Sequence, residues 1–197
     1  MENNLGRVCE LRGDYEGAER HERVALEIRR HLAPDGLDVA ASLNNLAAVA
    51  LDRNEADAAG PLLEESLALK EKLAPGSPIV ATTLVNFGEY DLRKGDAKSA
   101  LAAARRSLEI RRRFEPGSLD EAESYELVAR AERAAGDPNR AAADYLHALD
   151  SVEAQRHRLG GDEPERAAFS TRTIGYYRKA AALLHAIGRD ADASAFK

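Results

Sequence analysis

Aromatic residues and cysteine are scarce in this sequence. Its 197 residues include no tryptophan and a single cysteine, and aromatic residues make up only 5%. Because sheets are rich in β-branched and aromatic residues whereas alanine favours helices, this alanine-rich composition favours an all-helical fold. Cys9 cannot form an internal disulfide, and no stretch of 18 apolar residues indicates secretion or a membrane span. We therefore predict a cytoplasmic protein in which Cys9 is a buried structural thiol.

Positive charge is also in short supply. The formal net charge is -6 and the isoelectric point is near 5.5. Nucleic acid and anionic membrane surfaces both attract a positive field, so this balance argues against either as a general partner. Any basic patch would have to be local.

The sequence lacks the common motifs of catalysis and cofactor binding. It has no HExxH, no paired CxxC, no Walker A motif and no GxGxxG after a strand. Its five histidines do not converge by spacing. We therefore predict a non-enzymatic protein with no metal and no cofactor.

What the sequence does contain is a repeat of 41 residues. Several kinds of position recur with that shift: Gly13, Asn54, Gly95 and Gly136; Ala18, Ala59, Ala100 and Ala141; Leu26, Leu67, Leu108 and Leu149; and Pro34, Pro75 and Pro116. A fourth proline would fall where the chain has His157, so the last copy diverges at that point.

The recurring positions predict a helix, a tight turn and a second helix. Glycine or asparagine can adopt the left-handed conformation that ends a helix, and the acidic residue after it can cap the next one. These acidic residues are Asp14, Glu55, Asp96 and Asp137. The alanine five residues after the turn is small enough for the two helices to pack closely. In the first copy the second helix has Val24, Ile28 and Leu32 on one face, and Ser77 and Ser118 predict the starts of later first helices.

The segments NNLGRVCELRGDYEGA and LVNFGEYDLRKGDAKSA carry a small residue, a turn glycine and a spaced alanine. This pattern resembles the tetratricopeptide repeat family. The common unit has about 34 residues, and the longer unit here is similar to the kinesin light chain type. The resemblance implies an all-α fold, a right-handed α-solenoid of helix-turn-helix repeats. We assign four repeats, 1–42, 43–83, 84–124 and 125–159, followed by an irregular fifth.

Residues 160–197 depart from the 41-residue register. A helix is predicted from about Pro164 to Ile187, with Phe169, Tyr176, Leu183 and Ile187 on one apolar stripe. Gly188 and Ala193 repeat the turn-plus-five spacing, so a short second helix should follow. This part resembles the repeat region that precedes caspase-like CHAT domains in bacterial proteins. Because stacked repeats need polar outer faces at their ends, we expect either a fragment of a longer protein or pairing of the ends with another chain.

An asparagine recurs at Asn4, Asn45 and Asn86. In tetratricopeptide repeats the first helices line a concave groove that binds peptides, and the resemblance places these asparagines there. An amide both donates and accepts hydrogen bonds, so it could grip a peptide backbone. The predicted groove residues are Asn3, Asn4, Arg7, Asn44, Asn45, Asn86, Glu89, Arg130 and Arg133. The alternative is a structural amide bond, made either at a helix end or between repeats.

A clamp for a terminal carboxylate, as in chaperone-binding members of the family, is not expected because Glu126 would repel the anion. Arg130 and Arg133 could still bind an acidic side chain bidentately. The function implied is a scaffold that binds a protein or peptide, upstream of an effector domain. Self-association through the ends is one alternative. Nucleic-acid binding through the arginine clusters at 29–30, 111–113 and 156–158 is a weaker one.

Overall fold

The fold is described for residues 13–159 and 163–193 of a computed structural model. Every regular element in these residues is a helix, which confirms the all-α fold class. The helices are α1 (Tyr15–Leu32), α2 (Leu37–Asp52), α3 (Ala56–Leu73), α4 (Pro78–Arg93), α5 (Ala97–Phe114), α6 (Leu119–Ala134), α7 (Pro138–Arg158), α8 (Glu163–Ala186) and α9 (Asp190–Ala193).

The helices alternate between the first and second members of helix pairs. The first helices are α2, α4, α6 and α8, and the second helices are α1, α3, α5 and α7. The described pairs therefore begin near Leu37, Pro78 and Leu119, whereas the repeat boundaries assigned from the sequence at 43, 84 and 125 lie inside first helices. Those boundaries are spaced by the 41-residue period but do not coincide with the ends of helices. The division into repeats stays a prediction.

The predicted turns have the expected backbone. The angle φ is 62° at Asn54, 79° at Gly95 and 88° at Gly136, all in the left-handed region that glycine and asparagine tolerate. Gly188 repeats this conformation with φ of 75° before the short helix α9. The turn positions predicted from the 41-residue register are therefore confirmed.

Capping follows the predicted acidic positions with one exception. The carboxylates of Asp14, Asp96 and Asp137 accept hydrogen bonds of 2.8–3.1 Å from the backbone amide three residues later. Glu55 precedes α3 but makes no such bond, and its longer side chain instead pairs with Arg53 at 2.9 Å. The capping role predicted for Glu55 is wrong, which fits the preference of this position for short side chains.

Close packing depends on small residues in the second helices. Ala18, Ala59, Ala100 and Ala141 are all completely buried, as the sequence predicted. The apolar face expected on α1 is a different case, because Val24, Ile28 and Leu32 are 46%, 50% and 80% exposed. The buried face of α1 instead consists of Gly17, Ala18, Glu22, Ala25 and Leu26.

A buried hydroxyl recurs with the 41-residue shift on the first helices. Ser42, Thr83 and Ser124 are fully buried. Arg29 of α1 donates to Ser42 Oγ at 2.6 Å, and Lys70 of α3 donates to Thr83 Oγ1 at 2.7 Å. At the third position the 4% exposed Arg111 pairs with Asp120 at 3.3 Å, while Ser124 bonds to Ser107. These cations join a second helix to the next first helix.

The chain divides into two compact units, Met1–Lys94 and Gly95–Lys197. In the first unit α3 packs on α2, and the core includes Leu43, Leu51 and Leu63. In the second unit α7 packs on α6 and α8. Its main core consists of Ala129, Ala141, Ala142, Tyr145, Leu149, Ala180, Leu183 and Leu184.

Helix α8 covers α7 with a mainly apolar face. Of the stripe predicted from the sequence, Phe169 and Leu183 are buried, and Tyr176 and Ile187 pack against the same core. Phe169 contacts a cluster that contains Val152, the residue that replaces the cation of the earlier repeats. At this position the contact between α7 and α8 is therefore apolar, whereas the equivalent contacts of the earlier repeats are polar.

Candidate functional site

The groove asparagines of the first unit bond to other helices of that unit. Asn45 Nδ2 of α2 donates to Glu22 Oε1 of α1 at 3.1 Å, and Asn86 Nδ2 of α4 donates to Asn44 Oδ1 of α2 at 3.0 Å. Asn44 is 6% exposed, whereas Asn45 and Asn86 are half-buried. These bonds are the amide contacts between repeats that the sequence offered as the alternative to peptide binding.

Asn45 and Asn86 bond to different kinds of partner because the residue of the preceding second helix that faces them differs between the two copies. Position 22 is a glutamate in the first copy, and the residue 41 places later is Leu63, which cannot accept a hydrogen bond. Asn45 therefore bonds to a carboxylate and Asn86 to a neighbouring amide. Burial raises the pKa of Glu22, whereas the hydrogen bond from Asn45 lowers it and only partly offsets the effect of burial.

Of the other predicted groove residues, Glu89 pairs with Arg93 along α4 at 3.2 Å. Asn3, Asn4 and Arg7, like Cys9, lie outside the described residues. Their predicted roles are therefore not examined by the geometry.

Arg130 and Arg133 of α6 lie at a cavity of about 590 Å³ in the second unit. Its walls come from α6, α7 and α8 and from the residue that follows α8. The lining residues are Glu126, Arg130, Arg133, Pro138, Tyr145, Lys179, Ala182, Leu183, Ala186 and Ile187. This volume lies within the range of about 300 to 1,000 Å³ that is typical of ligand pockets. The structure therefore brings two of the predicted residues to one concave site.

The floor of this cavity is the edge of the second unit's core. Tyr145 is 4% and Leu183 is 6% exposed, and both belong to the main core cluster, against which Ile187 also packs. Because these side chains are held by α6, α7 and α8 together, the apolar part of the site is formed by packed helices rather than by a loop. A site of this kind needs little rearrangement to accept a ligand.

The rim of the cavity carries more positive than negative charge. Lys179 Nζ of α8 lies 2.5 Å from Glu126 Oε1 of α6, so the single carboxylate of the lining is already paired. This contact removes the objection drawn from the sequence, that Glu126 would repel an anion. Burial raises the pKa of Tyr145, and Glu126 raises it further while Arg133 and Arg130 lower it. The phenol therefore stays neutral beside the two arginines.

Sequence reasoning missed Lys179, Leu183 and Ile187 as parts of this site. The groove column that contains Arg130 follows the 41-residue register, and α8 lies outside that register. The apolar stripe of α8 predicted its packing but not which residues would stay at the edge of the core. The only signal in the sequence was that a basic residue, Lys179, falls within the same long helix.

A separate polar cluster lies where α5, α6 and α7 meet. Glu132 Oε1 of α6 accepts a hydrogen bond from Arg105 of α5 at 3.1 Å, and the glutamate is 4% exposed. Burial and the adjacent Glu132 raise the pKa of Asp144 of α7 to about 6. Within residues 13–159 and 163–193, no group of three or more metal-ligating side chains is present. This cluster consists of a buried glutamate and a half-buried aspartate beside an arginine.

The repeat geometry and two family models agree. Both models are described as tetratricopeptide repeat; one matches residues 38–113 and 79–154 and the other residues 3–36. The chain belongs to the tetratricopeptide repeat family. Members of this family generally mediate protein–protein interactions and are typically not catalysts. None of the curated proteins compared with the chain matches it.

Solved structures support the kinesin light chain-like form of the repeat. The fold is similar to that of the "Podosopora anserina putative kinesin light chain nearly identical TPR-like repeats", with a TM-score of 0.72 and 19% sequence identity. The match covers 99% of this chain and 89% of that one. BtubC (BKLC) from P. vanneervenii gives a TM-score of 0.75, 20% identity and coverages of 99% and 75%. MamA gives a TM-score of 0.58 at 16% identity, and the match covers 98% of this chain and 90% of that one. At these identities the likeness concerns the fold.

The helices were also compared with the requirements of a membrane span. None of those described is both long enough and apolar enough to cross a bilayer.

Proposed function

We propose that this chain is a non-catalytic scaffold that binds a segment of another protein along its first helices. The observation that carries the proposal is the cavity at Arg130 and Arg133, which combines charged groups with an apolar floor on adjoining helices. Tetratricopeptide repeats bind proteins through such surfaces, and the absence of catalytic motifs agrees with a scaffold. Asn45 and Asn86 contribute to the same function, because each amide still has hydrogen-bonding capacity beyond its one described bond.

The scaffold acts in the cytoplasm, as the single cysteine suggests, and serves as the sensor or regulatory part of a larger protein. The support for the second statement is the resemblance of residues 160–197 to the region that precedes CHAT domains. A partner bound at α6 and α8 would contact α8 directly, so binding could be transmitted to a domain that follows it. This regulatory role rests on the binding proposal.

Site-specific photocrosslinking tests the proposal. A photoreactive phenylalanine analogue at Ala182, which lines the cavity and is exposed, should give a discrete protein adduct in extract of the source cells. The matched control is the same substitution at Ala102, an exposed alanine of α5 outside the cavity. Specific adducts at Ala182 alone are the expected result. Equal labelling at both positions, or none at Ala182, would count against a binding surface there.

A second candidate function is self-association, which is favoured by the exposed apolar face of α1. Val24, Ile28 and Leu32 are all at least 46% exposed and share that face. Light scattering as a function of concentration would detect such pairing, and Ile28→Asp should abolish it. A monomer at all concentrations would leave peptide binding as the better proposal.

A further inference from the structure

A second cavity, of about 210 Å³, lies in the first unit and is lined by α1, α2 and α3. We call it the Pro61 cavity after the proline in its wall. Its floor comes from α2, where Leu46, Val49 and Ala50 are 4%, 1% and 8% exposed. An apolar cavity of about 150 Å³ in a protein can hold a benzene molecule. The Pro61 cavity therefore has room for one aromatic ring and a small substituent.

The next copy of the repeat shows what fills the same place there. Three lining residues have counterparts of very different size 41 positions later: Leu46 corresponds to Phe87, Val49 to Tyr90 and Glu19 to Gly60. The rings of Phe87 and Tyr90 meet edge to face at 6.3 Å and pack against the core of the first unit. A Cβ on Gly60 would lie 3.1–3.3 Å from the phenol end of Tyr90, so this ring lies directly on α3. An aromatic ring thus occupies in the second copy the place that is open in the first.

The wall of the cavity contains a residue that does not suit its helix. Pro61 lies inside α3, beyond the first turn, and has no N–H to give to the carbonyl of Asp57. The equivalent positions in the other copies hold Arg20, Ala102 and Ala143, which all favour a helix. Pro61 therefore weakens α3 while it adds a rigid apolar surface to the cavity. A local departure of this kind is typical of a binding site.

The charges at the mouth of the cavity pair with one another. Glu19 lies 2.7 Å from Arg23 and 2.6 Å from Arg53, and Arg53 lies 2.9 Å from Glu55. Two cations and two carboxylates leave the mouth without net charge, so a charged ligand gains no partner there. A hydroxyl group can still form hydrogen bonds, because a carboxylate accepts more than one hydrogen bond. The site therefore favours an uncharged ligand with a polar end.

We propose that the Pro61 cavity binds a small uncharged aromatic molecule, a phenol or a compound of similar size. The ring lies on Leu46 and Val49 beside Pro61, and the hydroxyl faces Arg53 and Glu55. The cavity is smaller than the roughly 300 to 1,000 Å³ of sites for larger ligands, so neither a nucleotide nor a peptide segment fits inside it. This inference goes beyond the scaffold function, because the site includes the second helices α1 and α3 and none of the groove residues.

Methyl NMR spectroscopy of the full chain tests the inference with p-cresol as the probe. Increasing p-cresol should shift the methyl resonances of Leu46, Val49 and Leu62 until one molecule is bound per chain. Benzoate and benzylamine carry the same ring with a negative or a positive charge, and each should bind about tenfold more weakly because its charge is buried without a partner. Equal binding of the three probes would overturn the assignment of an uncharged ligand.

A fourth probe separates a free molecule from a protein side chain. N-acetyltyrosinamide carries the same phenol on a peptide backbone that is too large for the cavity, so it should bind more weakly than p-cresol. Tighter binding of N-acetyltyrosinamide would overturn the small-molecule ligand and assign the site to a tyrosine of another protein.

Two variants locate the binding. Glu19→Gly/Val49→Tyr rebuilds in the first copy the contact of a ring with glycine seen in the second, and it should abolish the response to p-cresol while helicity is kept. Ala58→Trp covers the mouth from an exposed lining position and should also block binding, which keeps the test available if the double variant does not fold. Its matched control is Ala102→Trp, at an exposed position of α5, which should bind p-cresol like the wild type.

Tyr90→Ala provides the positive control. Removing this ring should open the equivalent place between α3 and α4, so that a second molecule of p-cresol binds per chain. Binding at the new site alone, with no response of Leu46 and Val49, would overturn the inference. Equal binding of p-cresol to Ala58→Trp and to the wild type would overturn it too. Neither result affects the scaffold proposal, which is tested by crosslinking at Ala182.

Discussion

Lys70 Nζ donates a hydrogen bond of 2.7 Å to Thr83 Oγ1, and the two residues are 4% and 0% exposed. The pair joins α3 to α4 inside the first unit. Arg29 and Ser42 make the same kind of contact 41 residues earlier, at 2.6 Å between α1 and α2. A cation on a second helix and a buried hydroxyl on the next first helix are thus part of the repeat, in addition to its turns and alanines.

Removing the hydroxyl alone should destabilise the protein. Thr83→Val keeps the shape of the side chain but leaves the buried ammonium of Lys70 without this acceptor, so the free energy of unfolding should fall by about 1 to 3 kcal/mol. Urea denaturation followed by circular dichroism measures the change. The double variant Lys70→Met/Thr83→Val removes both partners and should recover most of the loss. If the double variant is less stable than Thr83→Val, the pair is not a buried polar contact of this kind.

Asp144 should make stability depend on pH. Its folded pKa of about 6 lies above the ordinary value of 3.8, so between these two pH values the folded state binds more protons than the unfolded state. The contribution of Asp144 to the free energy of unfolding therefore falls as pH rises from about 4 to about 6. It stays low at higher pH. Asp144→Asn mimics the protonated acid. Because Asp144 is only half-buried and partly screened, we expect a gain of about 1 kcal/mol at pH 7 and none at pH 4.

The control for this prediction is Asp150→Asn on the same helix, where the side chain is 83% exposed. It removes the same charge from an exposed position of α7, so it measures the effect of losing a carboxylate from this helix while Asp144 stays in place. Urea denaturation at pH 4, 5, 6 and 7 compares the two variants with the wild type. A parallel pH profile for Asp144→Asn and the wild type would contradict the raised pKa.

A large side chain should destabilise the protein when it replaces a buried alanine but not when it replaces an exposed one. Ala141 is completely buried between helices of the second unit, so Ala141→Phe should lower the free energy of unfolding by about 1 to 3 kcal/mol. Ala143→Phe adds the same ring two residues away at an exposed position and should change stability little. Thermal denaturation compares them directly. Equal melting temperatures would mean that Ala141 does not set the distance between helices.

The fold was predictable where one residue type has one physical role. A left-handed turn accepts Gly or Asn and a close helix contact needs Ala, so positions such as Gly95 and Ala100 predicted turns and packing at once. The buried face of α1 was harder to predict, because spacing places both Val24 and Leu26 on helical stripes and cannot say which stripe meets a neighbouring helix. The buried Lys70 was also missed, since a lysine near a helix end usually stays in water.

The candidate site was predictable only in the part that follows the register. Arg130 and Arg133 came from the column of first-helix positions, whereas Lys179 lies on a helix that leaves the register. Asn45 and Asn86 share one column but bond to different partners, because Glu22 has no equivalent in the next copy. A column of identical residues therefore predicts a shared location more safely than a shared contact.

The two asparagines should respond differently to pH when they are replaced. Asn45→Ala removes the donor to the buried carboxyl of Glu22, so the free energy of unfolding should fall by about 1 to 3 kcal/mol at pH 7. This loss should be smaller near pH 4, because a protonated Glu22 carries no charge for the amide to stabilise. Asn86→Ala removes a bond between two neutral amides, so its cost of about 1 kcal/mol should be the same at both pH values. Urea denaturation of both variants at pH 4 and pH 7 provides the comparison, with each variant as the other's control. If Asn45→Ala lowers the free energy of unfolding equally at the two pH values, its amide does not stabilise an ionised Glu22. Ligand binding would then be the remaining role for this asparagine.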